Sequence, residues 1–400
     1  MDLLLKNGTL ITPGGIVQAD IGVLNGIIHY IGRSELSSLF EVREVVDCEG
    51  CLVLPGVIDT HVQLEVSFEH GDLGDDFRTG SRAAACGGVT TFIDYARQQK
   101  GGSPLEALMA RKKVASSKVG IDYTLHLTLV DPTPEAISEV PLALGEGIRS
   151  FKIYMAYGKQ GRRTDDGAII DLMQEISGTT GFLGIHAEVD EQINRASESL
   201  LRAGQSSPRY HGEAHPPISE IAAVESVIRY AKSTGCEVYI KHVSTSETAA
   251  LIDEARRDDV RIWGETCPHY LILDEDFYLR EDAPLFVMSP PLRHKANQAG
   301  LWKALASGGL QVIATDHGSY SRHQKFHNVK TFEDVPPGIP GIETLLPLMY
   351  TYGVDGGRLA LERLVQVLSE EPARIFGLYP KKGVLQICLL YTSPSPRDRG

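Results

Sequence analysis

The chain has 400 residues, 42% hydrophobic and 23% charged, with 39 Lys and Arg against 52 Asp and Glu and a formal net charge of −13. That length supports a full core in one large domain or two, and the acidic balance argues against nucleic acid or an anionic membrane as the main partner. No apolar run approaches the roughly 20 residues of a membrane span.

The opening MDLLLKNGTLITPGG has no basic n-region followed by an apolar core, so no secretory signal is expected. Six cysteines are scattered along the chain, which fits a reducing cytoplasm. Cys48 and Cys51 form a C-x2-C, but no second pair or nearby histidine completes a zinc knuckle.

Residues 1–54 read as short β-strands with tight turns. LLLKNGTLI and IGVLNGIIHYIG each place Asn-Gly between apolar strands, a strong hairpin signal. They predict a small β-module. From about residue 52 short apolar strands alternate with longer amphipathic or Ala-rich segments. The strand candidates are LVLPGVIDTHV, VTTFIDYA, DYTLHLTLV, SFKIYMAY, FLGIHAE, EVYIKHVS, VRIWGETC and QVIATDHG. Helix-like stretches such as FRTGSRAAACGG, GAIIDLMQEISGTT, ISEIAAVESVIRYAKSTG, SETAALIDEARRDD and HKANQAGLWKALASGG lie between them. Eight β-then-α units over residues 55–378 predict an α/β fold, a (β/α)8 TIM barrel with long βα loops. A doubly wound open sheet is the structural alternative. Residues 354–378 read as one or two closing helices. Residues 379–400 begin a returning strand, but CLLYTSPSPRDRG from Cys388 has no periodicity and resembles translated cloning sequence.

Barrel enzymes build their sites at the C-terminal ends of strands. Strand 1 ends with Asp59, His61 and Gln63. Strand 4 carries Lys152, strand 5 ends at His186, strand 6 at His242, and strand 8 at Asp316 beside His317. A single strand-end histidine is more often a hydrogen-bonded core residue than a ligand, and His126 in YTLHLTL reads that way. His211, His215, His269, His294, His323 and His327 read as surface or loop residues. Lys152 lies between apolar neighbours, where an ammonium is expensive to bury. Either it snorkels to the barrel mouth, or its charge has been changed by reaction with carbon dioxide to a carbamate. Asp316 is an equally poor guest in an apolar strand. The bland reading holds for any one of these residues far more easily than for all five strand ends together.

The segments PGVIDTHV, DDFRTGSRAAACGGVTTFID, SFKIYMAY, GIHAE, YIKHVS, ETCPHYLILDE, FVMSPPLR, VIATDH, GIPGIE and EPARIFGL, in that order, resemble the dihydropyrimidinase/hydantoinase group of the amidohydrolase superfamily over about residues 1–385. The resemblance implies a cytoplasmic, metal-dependent barrel with a small β-sandwich built from both chain ends, a homotetramer. Its substrate would be a small cyclic amide, with no nucleic-acid or membrane partner. It implies two divalent ions, zinc by expectation. His61, Gln63 and Asp316 would serve the more buried one, carbamylated Lys152 would bridge, and His186 and His242 would serve the second. A hydroxide held by the metals would open a dihydropyrimidine or hydantoin-type ring to an N-carbamoyl amino acid. Asp316 would move the proton and Tyr157 would donate to the oxyanion. Ser289 and Pro337 would hold the ring through their backbones. The family has Asn where this chain has Pro337, and proline keeps the carbonyl but has no N–H.

Gln63 departs from the family's His-x-His. An amide oxygen is a weaker zinc ligand than imidazole, so three outcomes stay open: a weak or different metal, a single-metal enzyme, or a metal-poor scaffold without activity. An allantoinase-type ureide hydrolase is a further alternative. The filled Lys152 position favours the hydrolase.

Overall fold

The structure, a computed structural model, describes residues 1–12, 14–33, 41–68 and 71–387. The predicted tail from Cys388 lies outside the described residues. Contacts divide the chain into two units, Met1–Ile58 with the residues from Ala360 on, and Asp59–Leu359.

The first unit contains strands β1 (Leu3–Thr12), β2 (Gly15–Leu24), β3 (Ile27–Gly32), β4 (Glu44–Asp47) and β5 (Leu52–Val53). They form a mixed sheet in the order β3-β2-β1-β4, with β5 also on β1. β1 and β2 are antiparallel, whereas β4 and β5 run parallel to β1. The second Asn-Gly makes the expected hairpin. Asn25 (φ 52°) and Gly26 (φ 73°) both take the left-handed conformation that a tight β2–β3 turn requires. The first Asn-Gly does not. Asn7 (φ 60°) lies inside β1, at a register break between Leu5 and Gly8. Its amide donates to Asp20 Oδ1 at 2.8 Å and its side chain to Asp47 Oδ1 at 2.9 Å. Asparagine tolerates this conformation, and pairing with neighbouring strands turns the hairpin signal into a bulge. Leu10, Ala19, Ile21 and Leu385 form the unit's buried core. The predicted closing helices appear as a continuous helical run, Leu361–Val365, Gln366–Glu370 and Glu371–Ile375, whose middle turn is π-helical.

The chain then runs through β6 (Val57–Asp59), β7 (Val62–Gln63), β8 (Ser67–Phe68), β9 (Gly71–Asp72), β10 (Val89–Arg97), β11 (Asp122–Thr128), β12 (Ser150–Tyr154), β13 (Phe182–His186), β14 (Val238–Ile240), β15 (Ile262–Thr266), β16 (Val312–Ile313) and β17 (His317–Gly318). Eight of them make one sheet in sequence order, β6-β10-β11-β12-β13-β14-β15-β16. β7 and β17 continue the first and last of these and pair parallel, His317 with Val62 and Gly318 with Gln63. That pairing closes the barrel and excludes the doubly wound sheet. Each of the eight predicted strand segments contributes one barrel strand.

The intervening helices follow from their sequences. Pro217–Thr234 begins with proline at its first turn and ends at Gly235 in the left-handed region (φ 70°). Its buried positions Ala223, Val224, Val227 and Ala231 recur at helical spacing. Each buried valine contributes on the order of 1.5–3 kcal/mol. A charge at Val227 would break that face. Among the described residues no helix is long and apolar enough to cross a membrane.

Candidate active site

A parallel barrel delivers all its strand ends to one rim. There a pocket of about 270 Å³ is lined by His61, Gln63, Lys152, Tyr157, His186, His242, Ser289, Asp316 and Pro337, together with Tyr95, Tyr154, Tyr320 and others. Every residue given a metal, catalytic or ring-binding role from sequence therefore lines one cavity, although 276 positions separate His61 from Pro337 in the numbering, whereas Asp59 and His317, also noted at strand ends, do not line it. Tyr157 (φ 66°), His242 (φ 40°) and Asp316 (φ 49°) hold left-handed backbone without being glycine. Such positions cost of order 1–3 kcal/mol each and concentrate at functional sites.

The polar groups fall into two pairs. His61 Nε2 meets Asp316 Oδ1 at 2.9 Å, and its Nδ1 meets Glu265 Oε1 at 2.5 Å. Burial opposes charge on His61, but the Asp316 and Glu265 carboxylates outweigh it and raise its pKa. Gln63 points its amide Nε2 toward the same Asp316 oxygen at 3.5 Å. In the second pair His186 Nδ1 faces His242 Nε2 at 2.9 Å. Burial lowers the pKa of both imidazoles, His242 well below its ordinary value, so both stay neutral at pH 7. His242 Nδ1 is buried with no hydrogen-bond partner among the described residues.

Lys152 is 1% exposed. Its Nζ lies 5.0 Å from the Tyr154 ring centre and 5.9 Å from that of Tyr95. Burial pushes its pKa down to about 8, so a reactive neutral amine is within reach near neutral pH. Gly184 lies opposite Lys152 in the sheet. A Cβ there would sit 3.3 Å from Phe151 O and 3.4 Å from Lys241 Cε, so glycine leaves room for the buried Lys241. Burial also holds the Tyr157 hydroxyl well above its ordinary pKa, which keeps it a donor.

Several residues of this region were not among the sequence candidates. Glu265, fully buried, contacts His61, accepts from Thr60 Oγ1 (3.0 Å) and Tyr239 Oη (2.8 Å), and approaches Lys241 Nζ at 3.5 Å. Lys241 is as buried as Lys152, and burial lowers its pKa to about 8 as well. Glu188 receives His186 Nε2 at 2.8 Å and His215 Nδ1 at 3.2 Å. The signal for Lys241 was present in YIKHVS, because the argument raised for Lys152 applies to it unchanged. His126 is the hydrogen-bonded core residue expected, bound to Ser150 Oγ (2.6 Å) and Thr60 O (2.7 Å). The surface-or-loop reading of two other histidines is corrected: His211 and His269 are buried, whereas His215 is a half-buried loop residue on Glu188. His211 is held by residues far away in sequence, its Nε2 on Met288 O at 2.8 Å and its ring against Tyr278. His294, His323 and His327 are exposed.

Among the described residues no three His, Cys, Asp or Glu side chains stand together as a ready metal cage. The donors converge in pairs, and Lys152 and Gln63, of other residue types, complete the set around the same cavity. The chemistry nonetheless fits divalent cations. Two neutral imidazole nitrogens that can share only one hydrogen are natural ligands, and a carboxylate behind His61 fixes that ring as metal sites require. Gln63 is the weakest member.

The fold and this pocket define a parallel α/β barrel with a cavity of converging polar donors at its strand ends. No protein-family model matches the chain. Known proteins match it along nearly its whole length. It is 36% identical over 391 residues to the D-hydantoinase of Geobacillus stearothermophilus, spanning 97% of this chain and 82% of that protein. It is 35% identical over 388 residues to the D-phenylhydantoinase of Escherichia coli, spanning 96% and 83%. Among solved structures, that of the dihydropyrimidinase of Brevibacillus agri superposes with a TM-score of 0.92 at 32% identity, covering 97% of this chain and 84% of that one. The L-hydantoinase of Arthrobacter aurescens superposes at 0.89 with 30% identity, covering 96% and 84%. The chain belongs to the dihydropyrimidinase/hydantoinase group of the amidohydrolase superfamily, a cyclic amide hydrolase by homology.

Proposed function

We propose that this enzyme opens a dihydropyrimidine or hydantoin-type ring by hydrolysis of a ring amide, releasing an N-carbamoyl amino acid. The observation that carries the reading is the single cavity onto which His61, Gln63, Lys152, His186, His242, Asp316 and Tyr157 all face. The first six would hold two divalent ions, with Lys152 as its carbamate, and imidazole-rich donors suit zinc. Bound there, such ions would supply a Lewis acid for the ring carbonyl and acidify a water molecule.

The chain's own groups divide the remaining work. Asp316, whose carboxylate His61 keeps ionised against the effect of burial, takes the proton of the attacking water and returns it to the departing ring nitrogen. Tyr157 keeps its proton and donates a hydrogen bond to the oxygen on which charge develops. Ser289 presents its backbone amide and carbonyl to the ring, and Pro337 presents a carbonyl alone. Gln63 favours unequal occupancy, with the ion near His61 held more weakly than the ion near His186 and His242. The homotetramer and the cytoplasmic location belong to the same proposal.

The test is to load the protein with zinc or manganese and measure bound metal together with hydrolysis of hydantoin, dihydrouracil and allantoin. Turnover of one of the first two with metal bound supports the reading. Less than about one ion per chain, with no turnover of any, overturns it.

A further inference from the structure

Lys325 is a buried cation for which the mechanism has no use. It lies in the short helix Arg322–Phe326 and is 2% exposed. Among the described residues no carboxylate stands within ion-pairing distance of it. Instead its Nζ donates to two backbone carbonyls, Val287 O at 2.8 Å and Pro336 O at 2.6 Å. Burying an ammonium without a counter-ion is expensive, so what it holds is informative.

The two carbonyls belong to different segments. Val287 lies two residues before Ser289, and Pro336 immediately precedes Pro337. Ser289, Pro337 and Gly338 all line the pocket. One backbone hydrogen bond joins the segments directly among the described residues, from Gly338 N to Val287 O at 3.0 Å. The neighbouring carbonyls of the first segment are also occupied. His211 Nε2 binds Met288 O at 2.8 Å and the Tyr270 hydroxyl donates to Pro290 O at 2.7 Å. Ser289 makes no backbone hydrogen bond among the described residues, which leaves its amide and carbonyl for a ligand.

We infer that Lys325 is a positioning residue that sets the spacing between the two segments gripping the substrate ring, acting through their backbones and not by touching substrate. This rests on the ring-binding role proposed for Ser289 and Pro337. A side chain of equal length without donors would leave Pro336 O unpaired and Val287 O with Gly338 alone. The two walls could then drift apart while the strand-end groups stayed in place.

The experiment compares wild type, Lys325→Met and Lys325→Gln as metal-loaded full-length protein. It measures kcat and KM on hydantoin and dihydrouracil, metal content, and hydrogen exchange of peptides covering 287–290 and 336–341. Lys325→Met is expected to raise KM about tenfold with kcat within about threefold. Metal content should be unchanged, and exchange should quicken in both peptides. Lys325→Gln, with a shorter amide that reaches one carbonyl, is expected to fall between the two, and it carries the test where Lys325→Met does not fold. Unchanged KM and exchange in the folded variant overturns the inference. So does a fall in kcat that tracks metal loss, which would mark a merely structural role. Failure of wild type to hydrolyse either ring overturns the functional reading instead, and the exchange data then decide by themselves whether Lys325 joins the segments.

Discussion

Glu265 and His61 meet across the barrel interior, Oε1 to Nδ1 at 2.5 Å, with both side chains buried. The contact fixes the imidazole so that Nε2 faces Asp316. The same carboxylate offsets the Lys241 ammonium at 3.5 Å. Glu265→Gln keeps the shape but removes the charge that serves both. Loss of such a support behind a ligand histidine typically costs 10- to 100-fold in metal affinity or activity. We expect a loss of that size in occupancy of the ion near His61. A fall in stability of about 3 kcal/mol is also expected, as for a buried charge left without its partner. Metal analysis and denaturant unfolding read the two effects separately. Full metal content at unchanged stability would show that His61 needs no such support.

Gln63→His should raise metal occupancy and rate together. The glutamine already lies within 3.5 Å of Asp316, and an imidazole supplies a stronger ligand at that place. Titration with zinc before and after substitution is the measurement. An unchanged rate at equal metal content would mean that Gln63 is already a competent ligand or does not reach the ion.

Tyr157→Phe removes one hydroxyl from a residue whose backbone is already held at φ 66°. The ring, 4.8 Å from that of His186, can stay where it is. If the hydroxyl donates only to charge that develops during reaction, kcat should fall on the order of 10²–10³-fold with KM little changed. A rise in KM at constant kcat would instead place Tyr157 among groups that bind the ring in its ground state.

The barrel strands were legible because each is a short apolar run bounded by turn residues, and their ends carry polar groups that an apolar strand does not otherwise tolerate. The same logic placed His61, Lys152, His186, His242 and Asp316 on one pocket. It stopped short of Glu265 and Lys241. Glu265 reads locally as an ordinary strand-end acid, and its worth comes from His61, some two hundred positions away. Asn7-Gly8 misled for a related reason. A turn dipeptide states what the backbone can do locally, whereas pairing of β1 with β2, β4 and β5 decides what it does. His211 and His269 looked exposed beside prolines and glycines, because which chain segment covers them is a tertiary fact.

Lys325 gives a pH test that does not depend on activity. Burial pushes its pKa from 10.5 down to about 7. Below about 7 the lysine is charged in both folded and unfolded chains, and the full cost of burying the charge is present. Between about 7 and 10.5 the unfolded chain keeps the proton while the folded chain has released it. Stability therefore rises with pH across that window, by at most about 1.4 kcal/mol per pH unit. A neutral amine still has two hydrogens for Val287 O and Pro336 O, so the contacts survive the change. Other groups titrate equally in wild type and Lys325→Met, so the difference between their unfolding free energies isolates this one. That difference is expected to shift in favour of wild type from pH 7 to pH 10. A flat difference would show that the folded protein accommodates the ammonium without cost.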